Sequence, residues 1–249
     1  METQGPVATL TLANPQRRNA MTPGMWRALA TVPEDLLREV RVVVIRGEGA
    51  SFCAGLDLRM AGEGVPGEPT MAELLAERDL AGTAELIEEF QRGFTWLRDP
   101  RWITIAVVQG HAVGGGFQLA LAADFRLLYP DARLRLSEVA LGAIPDLTGI
   151  TPLVRAVGYS RALEICMTAR TIEAAEALAL GLALRVVPAE EMEGALSDLV
   201  AAALQHPAHA VRAVKETLLD AAARTAADQA ALDAGIQAEV IRGIREARG

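Results

Sequence analysis

The sequence predicts an α/β fold with parallel strand pairing, followed by a helical region. Three observations carry this. Two β-branched apolar runs, Arg41–Arg46 and Ile103–Val108, read as buried strands, and each leads directly into a glycine-containing turn. Helical patterns lie between the strands, an alternation that favours parallel pairing. After about residue 150 the pattern becomes almost entirely helical.

The elements follow in order. Val7–Leu12 reads as a strand, and Asn14–Asn19 as a polar turn. Thr22-Pro23 has the form of a helix N-cap with Pro at the first helical position. After the strand Arg41–Arg46 comes the first glycine turn, Phe52-Cys53-Ala54-Gly55-Leu56-Asp57-Leu58. Ala61–Thr70, rich in Gly, Pro and Glu, reads as a mobile loop. Glu73–Arg98 has helical periodicity and ends at Asp99-Pro100. The strand Ile103–Val108 leads into the second glycine turn, Gly114-Gly115-Gly116, which opens a helix at Gly116–Ala123. Phe125–Tyr129 is a further strand. Tyr159–Thr168, Ile172–Leu180, Ala189–Gln205, Pro207–Ala223 and Ala226–Arg248 read as helices, with one extended run at Leu184–Val187. The division expected is a core over 1–190 and a helical region over 191–249.

Bulk properties exclude several classes. The chain has 249 residues and a net charge of −8, which argues against sequence-independent nucleic-acid binding. Two cysteines, Cys53 and Cys166, make no disulfide framework and point to a reducing compartment. There is no signal-peptide pattern and no apolar run long enough for a membrane span. A soluble cytoplasmic protein is expected. His111, His206 and His209 lack the spacing of metal ligands, so no metal is expected. Trp26, Trp96, Trp102 and Met60 read as packing residues, Cys53 as a small buried residue, and Arg242–Arg248 as a solvated helix face.

The two glycine turns are the features with chemical content. Each can direct a backbone N–H toward a common point, and two such donors form an oxyanion hole. The triplet lacks the third glycine of a dinucleotide-binding turn. Gly115 stands at a helix N-terminus, where the dipole favours developing negative charge. Proton chemistry needs more, and Glu138 and Asp146 lie eight residues apart in an otherwise apolar segment, Ser137–Asp146. Carboxylates in such surroundings titrate nearer neutrality and serve as acids or bases. A capping role is open to each.

Together these blocks resemble the crotonase superfamily, the enoyl-CoA hydratase/isomerase group. The resemblance begins at Leu12–Met21, runs through Phe52–Leu58 and Gly110–Asp124, and continues through Ser137–Gly149, Arg155–Gly158 and Ala174–Pro188. It implies a spiral of ββα turns followed by a helical region that packs homotrimers, often paired into hexamers. It implies an acyl-CoA substrate whose thioester carbonyl is held by the N–H groups of Leu56 and Gly115. Ala54, Asp57 and Leu58 would lie along the bound CoA, with Arg17 and Arg18 at its phosphates. No separate cofactor is implied, since CoA enters as part of the substrate.

The resemblance also marks a departure. Hydratases of this group use two glutamates; one falls on Glu138, but the other falls on Gln118, which exchanges no proton at neutral pH. Asp146 falls where family isomerases carry an acid. A dehalogenase branch also carries aspartate there but needs a histidine this sequence lacks. The expectation is therefore double-bond isomerisation by Glu138 and Asp146, with Gln118 hydrogen-bonding substrate or a carboxylate. The alternatives are hydration with Glu138 as main acid/base, and acyl-CoA binding without catalysis.

Overall fold

The computed structural model describes residues 1–219 and 221–246. The chain opens with β1 (Glu2–Gln4), β2 (Val7–Leu12), α1 (Pro23–Asp35) and β3 (Val42–Gly47). Next come α2 (Met71–Leu75), α3 (Leu80–Thr95), β4 (Ile103–Val108), β5 (His111–Val113), α4 (Gly115–Ala122), β6 (Phe125–Leu128) and β7 (Arg133–Arg135). The second half holds α5 (Ile150–Val157), α6 (Tyr159–Thr168), β8 (Ile172–Glu173), α7 (Ala174–Ala179) and β9 (Arg185–Val186). The chain closes with α8 (Met192–Leu204), α9 (Ala208–Leu218) and α10 (Ala226–Glu246). Thr22 caps α1 as expected, its hydroxyl accepting from the Met25 N–H at 3.2 Å.

The strands form two sheets. The larger has the order β1-β2-β3-β4-β6-β9, parallel throughout except for β1. Its central strands read as continuous apolar runs because both faces are covered. Val43, Ile45, Ala106, Val108 and Leu128 point into the main core with α1, α3 and α4. Val42, Val44, Ile105, Val107 and Leu127 point the other way, against Met192 and Leu196 of α8. The smaller sheet has the order β5-β7-β8. A strand in the large sheet, a short strand in the small one and a helix recur along the chain, as β4-β5-α4 shows.

Several expectations need correction. The single helix expected at Glu73–Arg98 is broken into α2 and α3. Asp79 starts a new helix there by accepting from the Gly82 N–H at 2.8 Å, while Arg78 takes the carbonyls of Leu74 and Gly82 at 3.0 and 3.1 Å. Ile172–Leu180 is helical only from Ala174, because Ile172 and Glu173 pair antiparallel with β7. Pro207–Ala223 is α9 followed by a 3-10 turn at Ala221–Ala223, with Asp220 outside the described residues. The last residues of Ala226–Arg248, and so the end of Arg242–Arg248, also lie outside them. Strands β1, β5, β7 and β8 gave no sequence signal, because two or three residues are too few to show alternation. The loop Ala61–Thr70 is tied down at Glu68, whose carboxylate accepts from the Thr22 hydroxyl and, at 2.8 Å, from the Gly24 N–H.

Candidate active site

The short β5 brings the two glycine turns together. Cys53 N–H donates to His111 carbonyl at 2.9 Å, and Val113 N–H donates to Cys53 carbonyl at 2.9 Å, so the first turn runs parallel to β5. Gly55 takes a left-handed φ of +82°, and a Cβ built there would lie 2.5 Å from the Val113 carbonyl oxygen and 3.6 Å from Gly115 N. Only glycine meets both requirements. Gly116 is required by contact alone: a Cβ would stand 2.4 Å from the Cys53 carbonyl oxygen and 2.7 Å from its Cβ.

Backbone pairing aims the donors. Met21 N–H donates to Gly55 carbonyl at 2.7 Å and Asp57 N–H to Met21 carbonyl at 2.8 Å. In such a ladder the residue between turns its own N–H the opposite way. The Leu56 N–H is therefore directed away from Met21. The Gly115 N–H is the first of α4 and has no carbonyl in its own helix. Among the described residues neither N–H has a protein acceptor. Both residues line one cleft of about 540 Å³.

Gln118, Glu138 and Asp146 line the same cleft. Gln118 is 1% exposed. Its amide donates to Glu138 Oε1 at 2.8 Å, and its carbonyl oxygen accepts from the Gly149 N–H at 3.1 Å. Glu138 opens a 3-10 turn, Glu138–Leu141, and its Oε2 is buried with no partner among the described residues. Burial pushes the Glu138 carboxyl above its ordinary range; hydrogen bonds, Gln118's among them, oppose this and the charge of Asp146 adds to it. Burial likewise raises Asp146. Its backbone is held by Gln91 of α3, whose Nε2 donates to the Asp146 carbonyl at 2.7 Å. Asp146 does not cap α5, since Gly149 occupies the capping position. Apolar side chains wall the cleft, including Leu86, Leu147, Trp26 and Phe90, the last two with rings 4.9 Å apart.

The other expected site residues divide. Ala54 and Leu58 line the cleft; Arg17, Arg18 and Asp57 do not. Asp57 is 7% exposed and engaged with Arg59, accepting from its guanidinium at 2.7 and 3.0 Å and from its N–H at 3.1 Å. Arg17 and Arg18 are exposed on a turn beside the first glycine loop, where Ala54 N–H donates to Arg18 carbonyl at 2.9 Å. Trp96, Trp102 and Met60 are buried packing residues. Cys53 is fully enclosed and its thiol is pushed up to about 12 by burial, so it is inert as a nucleophile. Among the described residues no cluster of His, Cys, Asp and Glu suits a metal ion, and no helix is long and apolar enough to cross a membrane.

Sequence reasoning missed two supports and one lining residue. Asn19, fully buried, donates from Nδ2 to the carbonyls of Glu48, Ser51 and Phe52 at 3.0, 2.8 and 3.1 Å, binding the N-terminal turn to the first glycine loop. Lys215 of α9 donates to the Leu97 and Trp102 carbonyls and to Asp124 at 3.1, 2.8 and 2.8 Å, clamping α9 onto the sheet. Arg135 of β7 lines the cleft. The buried position of Asn19 was signalled only by a polar residue inside a turn, and nothing local marked the other two.

Comparison with known proteins identifies the family and the fold. A family model described as enoyl-CoA hydratase/isomerase matches residues 2–247. A Thermobifida fusca protein, described as a candidate enoyl-CoA hydratase and solved in complex with acetoacetyl-CoA, is 48% identical. It superposes with a TM-score of 0.92 over 97% of this chain and 94% of its own. Its structure with CoA matches at 47% identity and TM-score 0.92, over 98% of this chain and 93% of its own. A Thermus thermophilus relative of the same description is 37% identical over 221 residues, 87% of this chain and 81% of its own length. The expected crotonase-type architecture is shown by these superpositions.

Proposed function

The chain belongs to the enoyl-CoA hydratase/isomerase family and is an enzyme of that family, and on that premise we propose that it shifts the double bond of an enoyl-CoA thioester. The thioester oxygen accepts from the Leu56 and Gly115 N–H groups. Those donors stabilise negative charge on the oxygen, which acidifies the carbon next to the carbonyl or its vinylogous position. Asp146 or Glu138 removes that proton, and the C–H electron pair passes into the enolate. The same or the other carboxyl returns a proton at a different carbon, and the double bond moves. Atoms and charge balance without an oxidant, a reductant or a metal.

The observation that carries this reading is the pairing of Gln118 with Glu138. The neighbour of Glu138 is an amide held by Gly149, so the second carboxyl in the cleft is Asp146. The acetoacetyl-CoA in the Thermobifida fusca structure supports an acyl-CoA substrate. CoA would run along Ala54–Leu56 and Leu58, with Arg17 and Arg18 reaching its phosphates from the neighbouring turn. A homotrimer or hexamer is proposed on the family's precedent; Val214 and Leu218 of α9, 59% and 70% exposed, would be covered by self-association.

The names of the relatives favour the second reading, hydration with Glu138 as acid/base. Mass spectrometry of products in D2O from 2-enoyl-, 3-enoyl- and 3,5-dienoyl-CoA separates the two. A moved double bond with no added water supports the proton shuttle. A product heavier by one water supports hydration instead, with Glu138 as the candidate acid/base. Binding without turnover of any of these esters would point to the chemistry of another branch of the family.

A further inference from the structure

Arg135 stands at the base of the second glycine turn. It pairs in register with Val113 of β5, and its carbonyl accepts from the Gly114 N–H at 2.8 Å. It is half-buried, and it is the only basic residue lining the cleft among the described residues. Its Nε is buried without an acceptor, and no described carboxylate pairs with its guanidinium. Arg46 also leaves its Nε buried without an acceptor, but its other N–H groups hold Glu193 at 3.1 and 3.5 Å. Arg126 gives its N–H groups to the carbonyls of Leu182, Ala120 and Ala123, and Arg133, two residues before Arg135 on the same strand, pairs with Glu173 at 3.5 Å.

A guanidinium stays charged at any working pH, and its planar fork fits a carboxylate with two parallel hydrogen bonds. A guanidinium that lines an acyl-CoA cleft and holds no carboxylate of its own can take one from the ligand. The remaining cleft wall is apolar apart from Thr83, Gln118, Ser137, Glu138 and Asp146. Resting on the acyl-CoA reading above, we propose that Arg135 recognises a carboxylate carried by the acyl group. The preferred substrates are then CoA half-thioesters of dicarboxylic acids. The same guanidinium chemistry would also accept a CoA phosphate, and the test separates the two sources.

The test is isothermal titration calorimetry of the full chain with glutaryl-CoA and valeryl-CoA, saturated esters of equal carbon number. The wild type is expected to bind glutaryl-CoA about tenfold or more tightly, the scale of a charge-assisted pair. Arg135→Met should collapse that ratio toward one, and Arg135→Lys, keeping charge but not the fork, should give an intermediate ratio even if the Met variant does not fold. Equal affinities in the wild type overturn the proposal. So does an equal weakening of both esters in Arg135→Met; pantetheine thioesters then tell whether the lost contact was to the CoA phosphates, which they lack, or to the scaffold of the cleft. If the wild type binds neither ester, the acyl-CoA reading itself fails, and this inference with it.

Discussion

Gln118 donates to Glu138 Oε1 at 2.8 Å while accepting from the Gly149 N–H at 3.1 Å. A backbone N–H can only donate, so this second bond fixes which end of the amide faces Glu138. The glutamate is held by one oxygen, and its buried Oε2 is left without a protein partner. Gln118 is thus a positioning residue for Glu138. Gln118→Ala should lower kcat about 10- to 100-fold, the range for losing a hydrogen bond to a charged group, with KM little changed. Steady-state kinetics check this; a rise in KM alone would place Gln118 on the substrate.

Glu138 and Asp146 are the two carboxyls of the cleft. Glu138→Gln and Asp146→Asn should each lower kcat by about 10²- to 10⁴-fold, the usual contribution of a positioned acid or base. Acyl-CoA affinity should stay within a few fold, because the backbone donors remain. Paired turnover and calorimetric measurements decide the matter. Full activity in either variant would remove that residue from the proton path.

Burial raises both carboxyls, and the charge of Asp146 raises Glu138 further. A carboxylate acts as base only when ionised, so activity falls as pH drops through its pKa. The acid limb of kcat/KM should therefore lie above the ordinary glutamate value of about 4.3. Asp146→Asn removes a like charge, so the limb of the residual activity due to Glu138 should move to lower pH. A pH profile of both proteins measures this, and an unmoved limb would mean the two groups do not interact.

Gly116 faces Cys53 with no room for a methyl group. Gly116→Ala should push the two glycine turns apart and destabilise the fold by about 1–3 kcal/mol, as overpacking does. Acyl-CoA binding should weaken as well, since Leu56 and Gly115, which line the cleft, lie on the two turns that would be displaced. Thermal melting and calorimetry test the two effects together.

Lys215 is 7% exposed and bonded to Asp124 and two carbonyls. Lys215→Met keeps the aliphatic stem but leaves Asp124 without its counter-ion. Breaking one side of such a buried pair should destabilise by about 3 kcal/mol or more. Urea unfolding reads this directly, and an unchanged midpoint would show that Thr104, which also bonds Asp124 at 2.8 and 3.0 Å, holds that carboxylate alone.

The sequence by itself determined the parallel α/β class, the two glycine turns and the burial of the central strands. These are local matters: β-branched runs, alternation, capping residues and glycines act through neighbours along the chain. The motif resemblance likewise named Leu56, Gly115, Gln118, Glu138 and Asp146, which the fold gathers into one cleft. Tertiary structure alone decided the rest. The small sheet rests on strands of two or three residues whose pairing depends on chain closure rather than propensity. The partners of Gln118, the hub made by Asn19, the engagement of Asp57 with Arg59, and the unpaired guanidinium of Arg135 follow the same rule. Each depends on which polar group arrives opposite another when distant segments close. Periodicity records that a side chain is buried, and only the folded chain supplies its partner.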